Sequence, residues 1–259
     1  MFLEQETHKV HIMDNTNTNA MKTVLVTGAN KGIGFETARQ MARKGYFVFL
    51  GCRDRDRGLD AVNTLKQSGL LNVELIVIDV CDQGSIEHAR IVLGSFVSSL
   101  DILINNAAIT GGQPQKVSTC EPMTLRQVFE TNYFGVVQTT QQFIPLLRKS
   151  GGPVIVNVSS EVGSLSMQTS PERNPNWDLF SLYGSSKVAL NSFTVTLSNE
   201  LRDTNFRVFS VTPGYTATDL NQHQGIKTVE EGASTIVKYA TSQNSANGGF
   251  YREEGLVSW

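Results

Sequence analysis

Tyr183 and Lys187 lie four positions apart in the segment YGSSK, where a run of helical periodicity begins. Residues at this spacing project from the same face of a helix, so both side chains can share one site. A free tyrosine has a pKa of about 10, and a nearby ammonium commonly lowers such a pKa by about 1–3 units. The pair therefore predicts a tyrosine that exchanges protons near neutral pH, although an isolated YxxxK pattern more often marks a surface pair.

Two serines follow another apolar segment, and their hydroxyls could hold a substrate oxygen. Residues 154–160 read VIVNVSS, a strand pattern that ends in Ser159 and Ser160. A hydroxyl at the end of such a strand can hydrogen-bond a carbonyl oxygen. Strand alternation alone does not choose between the two serines.

A glycine-rich loop connects a predicted strand to a predicted helix. Residues 28–34 read GANKGIG after the strand TVLVT. Glycines in this arrangement allow a tight turn, a close approach of backbone N–H groups to a pyrophosphate, and close helix packing. The loop predicts a dinucleotide site, the alternative being a glycine-rich turn without a ligand. The residues expected to contact the coenzyme are Gly28, Asn30, Lys31, Gly32, Ile33 and Gly34.

Coenzyme choice is expected to be set after the second strand, where an acidic residue binds a ribose hydroxyl and a basic one binds a 2′-phosphate. Cys52 occupies the expected acidic position and Arg53 follows it. Lys31 adds a second cation within reach of the same phosphate. The pattern favours NADPH over NADH, unless the strand ends one residue later and Asp54 binds the ribose. A solvated turn over residues 53–57 is the other interpretation, and we adopt it for residues 55 and 56.

The segments that must position these residues alternate short Val/Ile/Leu runs with longer runs of helical periodicity, as in repeated βα units. The predicted strands comprise residues 23–27, 46–51, 73–78, 101–105, 153–158 and 207–212. The predicted helices comprise residues 33–44, 57–68, 85–99, 124–149, 182–205 and 229–242. Most strands are apolar throughout, which suits parallel strands covered by helices on both faces. The pattern predicts an α/β, doubly wound Rossmann fold with a mainly parallel sheet and ligands at the carboxyl ends of its strands.

Length and composition exclude several classes of protein. The chain has 259 residues, of which 40% are hydrophobic and 18% charged, so a disordered chain is excluded and one Rossmann domain over residues 21–259 is expected. A net charge of -2 provides no field for a nucleic acid. Three cysteines without CxxC spacing argue against disulfides and zinc. No apolar run approaches the roughly 18 residues of a membrane span, so we expect a cytoplasmic protein without a membrane or metal partner.

The first 20 residues show no periodicity and no apolar core of signal-peptide length. We expect residues 1–20 to form a disordered extension before the strand that follows Met21. His8 and His11 in this segment could contact a metal, but an unstructured tail is the preferred interpretation.

Five motifs occur in order between residues 27 and 219: TGANKGIG, NNAA, NVSS, YGSSK and PGYTATD. In order and spacing they resemble the short-chain dehydrogenase/reductase family, and most closely its NADPH-dependent carbonyl reductases. The segment TVEEGA and Trp259 extend the likeness, which covers residues 22–259.

The resemblance implies a role for each candidate catalytic residue. The family's general acid/base matches Tyr183, and its lysine, which also binds the nicotinamide ribose, matches Lys187. The serine that polarises the substrate matches Ser160, the second of the pair. The asparagine that positions a water in the proton relay behind the lysine matches Asn132.

The resemblance also implies further coenzyme contacts. They are the adenosine ribose neighbours Asn106 and Ala107, the adenine neighbours Asp79 and Val80, and the carboxamide loop residues Pro213, Gly214 and Thr218.

Two features depart from the family. Ala108 stands where glycine is usual, and the gap from Ser160 to Tyr183 is wider than in most members, though far shorter than the insertion of monomeric carbonyl reductases. Monomer and homo-oligomer therefore both remain open.

The expected function is NADPH-dependent reduction of a small-molecule ketone, aldehyde or quinone to an alcohol. The alternatives are an NAD(P)-dependent alcohol dehydrogenase working in the oxidative direction and a non-catalytic NADPH-binding sensor. The ratio of the activities with the two coenzymes separates the first alternative from the reductase. The second alternative, a pure binder, needs no proton relay. The substrate pocket is expected between residues 161–182 and 215–227, with either pocket or packing roles for Met167, Trp177, Tyr215 and His223.

Overall fold

The computed structural model describes residues 21–112, 115–243 and 245–259, so the predicted extension over residues 1–20, with His8 and His11, lies outside the described residues. The strands are β1 (Thr23–Thr27), β2 (Phe47–Cys52), β3 (Val73–Val77), β4 (Ile102–Asn105), β5 (Val154–Val158), β6 (Arg207–Val211), β7 (Phe250–Arg252) and β8 (Gly255–Leu256). The helices are α1 (Gly32–Arg43), α2 (Arg55–Gln67), α3 (Gln83–Phe96), α4 (Pro122–Phe129), α5 (Gly135–Leu147), α6 (Leu165–Gln168), α7 (Ser181–Glu200) and α8 (Val229–Thr241).

The strands form one sheet in the order β3-β2-β1-β4-β5-β6-β7-β8. Every neighbouring pair is parallel except β7 and β8. The strand order reverses between β1 and β4, which is where ligands bind in open α/β sheets, outside the carboxyl ends of the strands. The predicted doubly wound Rossmann fold with a mainly parallel sheet is confirmed.

Alternate residues of the central strands pack into two apolar layers. Val24 and Val26 lie on one face of the sheet, in a layer with Met41 of α1 and Ile236 of α8. Leu25 lies on the other face, in a layer with α3, α5 and α7. Because both faces are covered, the strands need no polar side, and this explains their nearly continuous apolar runs.

The predicted strand bounds are correct to within about one residue, but several helical predictions need correction. Helix α7 ends at Glu200 and not at residue 205, and α3 spans Gln83–Phe96 and not residues 85–99. The segment expected as one helix over 124–149 is α4, a π-helical turn (Glu130–Phe134) and α5. Helix α2 begins two residues earlier than predicted, because the Asp54 side chain accepts a hydrogen bond from the Arg57 N–H and caps it. Arg55 and Asp56, expected in a solvated turn, are exposed but helical.

Within the described residues, no helix is long and apolar enough to cross a membrane. The same part of the chain contains no group of three His, Cys, Asp or Glu side chains arranged to hold a metal ion. Cys52, Cys81 and Cys120 are free thiols.

Candidate active site

Tyr183 and Lys187 lie on the first turns of α7, beside the carboxyl end of β5. The Lys187 ammonium is 5.4 Å from the centre of the Tyr183 ring and donates a hydrogen bond of 2.8 Å to the carbonyl of Val158. Lys187 is only 2% exposed. The two side chains therefore lie together, with the lysine anchored to the last residue of β5.

The pKa values of this pair differ from the sequence-based expectation. Burial raises the pKa of the Tyr183 phenol above its ordinary value, and a hydrogen bond with Ser160 opposes part of that rise. Burial also lowers the pKa of Lys187 to about 7. The expected lowering of the tyrosine pKa by the ammonium is therefore wrong. A lysine that is only partly charged at neutral pH, and whose ammonium points to Val158, cannot outweigh the desolvation of the phenol.

The two serines after β5 occupy different environments. Ser160 lies beside the Tyr183 phenol, where its hydroxyl opposes the rise in the phenol pKa, and it stands immediately before a short 3-10 turn, Glu161–Gly163. Ser159 is 2% exposed, and its hydroxyl has no hydrogen-bond partner among the described residues. The structure thus brings Ser160, and not Ser159, against the phenol.

Asn132 lies in the π-helical turn and is fully buried. Its amide accepts from the Ile109 N–H (2.9 Å) and donates to the Ile109 carbonyl (2.8 Å) and the Ser186 hydroxyl (3.0 Å). Ser186 in turn donates to the carbonyl of Tyr183 at 2.7 Å. The side chain that was expected behind Lys187 is therefore linked through Ser186 to the backbone of Tyr183.

The glycine loop after β1 fits a phosphate. Gly28 and Gly32 adopt positive φ values of +65° and +57°, which L side chains rarely adopt. A Cβ at Gly34 would lie 2.4 Å from the carbonyl oxygen of Gly28 and from the amide of Asn106, so only glycine lets α1 approach this closely. Lys31, the N-cap of α1, makes no side-chain capping bond, so the N–H groups of the first turn have no side-chain acceptor there. Such a helix end attracts a pyrophosphate.

A cleft of about 1030 Å³ opens over this loop, which is at the upper end of the volumes of ligand sites. Most of the predicted coenzyme residues line it; Pro213, Gly214, Tyr183 and Lys187 do not. These lining residues are Gly28, Asn30, Lys31, Gly32, Ile33, Gly34, Arg53, Asp79, Val80, Asn106, Ala107 and Thr218. The residues present therefore fit a dinucleotide laid across the β1–β4 switch point.

Asn106 and Ala108 show how the loop after β4 supports the cleft. The Asn106 amide donates to the carbonyls of Thr27 (2.9 Å) and Gly28 (3.2 Å), and so braces the glycine loop. Ala108 lines the cleft and is not among the described residues with positive φ. Alanine is thus accommodated without strain where the family usually has glycine.

The cations expected to select the coenzyme have different partners. Arg53 is exposed and lines the cleft. Lys31 is paired with Asp219 at 2.6 Å, across the cleft from the glycine loop. Asp54, the alternative ribose ligand, caps α2 and pairs with Arg57 at 3.5 Å. Of these residues, Arg53 is the one whose charge is left for a coenzyme phosphate.

Asp219 is the last residue of the PGYTATD motif, but the sequence analysis gave it no role of its own. The Lys31 ammonium is the main cause that lowers the pKa of Asp219. His223, a candidate pocket residue, contacts the same carboxylate at 2.9 Å and lines the coenzyme cleft. The other pocket candidates lie on α6 (Met167), on a 3-10 turn before α7 (Trp177) and exposed on the loop after β6 (Tyr215).

Comparison with known proteins places this arrangement in a family. Residues 22–228 match the short chain dehydrogenase family. A short-chain dehydrogenase from Penicillium roqueforti is 39% identical over 224 residues, which cover 84% of this chain and 88% of that protein. A (+)-neomenthol dehydrogenase from Capsicum annuum is 31% identical, with 92% of this chain and 98% of that protein covered.

A solved structure shares the fold at low sequence identity. The NADPH-bound carbonyl reductase from chicken fatty liver has a TM-score of 0.81 and 26% identity, covering 92% of this chain and 99% of that one. This likeness agrees with the family match over residues 22–228. The protein belongs to the short-chain dehydrogenase/reductase family.

Proposed function

We propose that this protein is an NADPH-dependent carbonyl reductase. The observation that carries the proposal is the grouping of Tyr183, Lys187 and Ser160 at the end of β5, with the dinucleotide cleft at the neighbouring strand ends. When bound, NADPH supplies the hydride that reduces the carbonyl carbon. The similar carbonyl reductase from chicken and the neomenthol dehydrogenase from pepper support a carbonyl–alcohol couple.

In this proposal the chain's own residues handle the carbonyl oxygen and its proton. The hydroxyls of Ser160 and Tyr183 donate hydrogen bonds to the oxygen, which polarises the carbonyl. The phenol then transfers its proton to the oxygen as the alcohol forms. Lys187 would bind the nicotinamide ribose and pass a proton to the Tyr183 phenolate, and solvent would return that proton to Lys187 through a water that Asn132 positions.

The environment of Tyr183 favours reduction over oxidation. Because burial raises its pKa, the phenol is protonated at neutral pH and is ready to donate. Alcohol oxidation needs the phenolate, whose fraction is small at neutral pH. The oxidative dehydrogenase is therefore the second candidate, and its rate is expected to rise with pH.

The proposed function is tested by the initial rate of NADPH consumption, set against NADH, over quinones, aromatic ketones and aliphatic aldehydes. Turnover that prefers NADPH supports the proposal. A preference for NAD and an alcohol selects the oxidative dehydrogenase instead. Tight binding of NADPH without turnover of any carbonyl in the panel would point to the non-catalytic sensor.

Arg53→Ala is expected to reduce the preference for NADPH. A charge-assisted hydrogen bond is worth about 1.5–3 kcal/mol, so the KM for NADPH should rise about 10- to 100-fold, whereas the KM for NADH should change little. Arg55→Ala is the matched control, because Arg55 is exposed but does not line the cleft. Equal effects of Arg53→Ala on both coenzymes, or none on either, would show that another group selects the phosphate.

A further inference from the structure

Gln115 is a buried amide that contacts the backbone of Tyr183 from a distant part of the chain. It is 5% exposed. Its Oε1 accepts hydrogen bonds from the N–H groups of Leu182 (2.9 Å) and Tyr183 (3.2 Å). Helix α7 begins at Ser181, and its N-cap residue, Phe180, makes no side-chain capping bond. Gln115 therefore supplies the acceptor that the first turn of α7 otherwise lacks.

The other end of the same amide holds the loop after β4. Its Nε2 donates to the carbonyl of Gly112 at 2.8 Å and to the carbonyl of Thr110 in a shorter bond. Thr110 lines the coenzyme cleft. One side chain thus fixes the start of α7 relative to the wall of that cleft.

A second connection joins the same loop to the other side of the Tyr183 backbone. Asn132 binds both backbone groups of Ile109 and donates to Ser186, whose hydroxyl donates to the Tyr183 carbonyl. Together with Gln115, these bonds form a closed ring through residues 109–112 that holds the N–H and the carbonyl of Tyr183. The ring fixes the backbone from which the phenol projects, and a displacement of about 1 Å at a reacting group can lower a rate about 100-fold.

We propose that Gln115 is a positioning residue that sets the phenol of Tyr183 against the coenzyme cleft. The inference rests on the proposed role of Tyr183 in proton transfer. The hydrogen bonds of Gln115 reach neither the phenol nor the catalytic lysine, so its action passes through the backbone of Tyr183. Its two ends have separable roles, because the oxygen holds the tyrosine and the nitrogen holds the loop.

The first test replaces the whole amide. Gln115→Met keeps the length of the side chain and loses all of its hydrogen bonds. At temperatures where the variant is folded, kcat for carbonyl reduction is expected to fall about 10- to 100-fold. The Kd for NADPH, measured by fluorescence, should change less than about 3-fold. Asn72→Leu is the matched control: the Asn72 amide also bridges two backbone carbonyls, those of Ala42 and Tyr46, but lies far from α7 at the start of β3. It should lower Tm and leave kcat unchanged. If Gln115→Met also lowers only Tm, the proposal is wrong.

The second test separates the two ends of the amide. Gln115→Glu keeps oxygen acceptors for the N–H groups of Leu182 and Tyr183, but an ionised carboxylate repels the two carbonyls that Nε2 now binds. A protonated carboxyl can still donate to one of them. Relative to the wild type, kcat of Gln115→Glu should therefore fall as pH rises through the pKa of the new carboxyl. A ratio independent of pH would contradict the assigned role of Nε2.

The double variant Gln115→Met/Tyr183→Phe distinguishes failure of this inference from failure of the proposed function. If Gln115 acts through the phenol, its substitution should not further lower the residual rate of Tyr183→Phe. If Gln115→Met lowers the rate of Tyr183→Phe by the same factor as it lowers that of the wild type, Gln115 acts elsewhere and the inference is overturned. If Tyr183→Phe alone is fully active, the proposed function fails first and the inference fails with it.

Discussion

Tyr183→Phe is expected to lower the rate of carbonyl reduction by a factor on the order of 10²–10⁴ or more, while the Kd for NADPH stays nearly unchanged. The substitution removes the proton that the proposed mechanism delivers to the substrate oxygen, together with the hydroxyl that faces Ser160. It leaves the ring and its contact with Phe180, 6.5 Å away between ring centres, in place. Single-turnover reduction and NADPH fluorescence measure the two effects separately.

Tyr239→Phe is a matched control for the loss of a hydroxyl. Tyr239 is buried, and its hydroxyl donates to the carbonyl of Arg252 at 2.9 Å, away from the cleft. The control should lose about 1 kcal/mol of stability and keep its kcat. Near-normal turnover by Tyr183→Phe would remove this tyrosine from the acid role.

Lys187→Met is expected to lower activity and to change how the free energy of unfolding depends on pH. Activity should fall at least about 100-fold, because the variant lacks both the ribose contact and the group that returns a proton to Tyr183. The folded-state pKa of Lys187 is about 7 and its ordinary value is 10.5, so between these values the unfolded chain binds more protons than the folded one. The free energy of unfolding of the wild type should therefore rise with pH across this window.

The cost of the buried ammonium appears as a difference in the free energy of unfolding between Lys187→Met and the wild type. Below pH 7 the buried ammonium destabilises the wild type fully, by an amount on the order of a few kcal/mol, and the uncharged side chain of Lys187→Met avoids this cost. As pH rises from 7 towards 10.5, that advantage of the variant should disappear. Lys238→Met is the control, because Lys238 also lies over a tyrosine ring, at 5.3 Å, but is exposed. A stability difference that does not change with pH would show that Lys187 remains charged in the folded protein.

The extent to which the fold followed from the sequence depends on how each element is stabilised. Central strands such as β1 are buried on both faces, and their apolar runs end where the chain leaves the sheet. The π-helical turn carries no such signal, because the glycine that follows it, Gly135, is the first residue of α5 and does not end the helical run. Strands β7 and β8 have three and two residues, too few for an apolar run or an alternation to show.

The candidate site was predictable where side chains act within local motifs. Tyr183 and Lys187 are four residues apart, and the glycine loop is continuous, so spacing alone brings these groups together. The raised pKa of Tyr183 was not predictable, because it depends on burial that many separate segments create. Gln115 could not be found either, since its partners are backbone groups up to 68 positions away that carry no side-chain signature.

Isotope transfer distinguishes the proposed hydride transfer, from a reduced nicotinamide to a carbonyl carbon, from any route in which that hydrogen comes from solvent. NADPH carrying deuterium on one or the other face of the nicotinamide C4 would be supplied in single turnovers with a carbonyl that the enzyme reduces. One of the two labelled coenzymes should place deuterium on the carbinol carbon of the alcohol, and the other should place none. Alcohol formed without deuterium from either coenzyme would contradict direct hydride transfer.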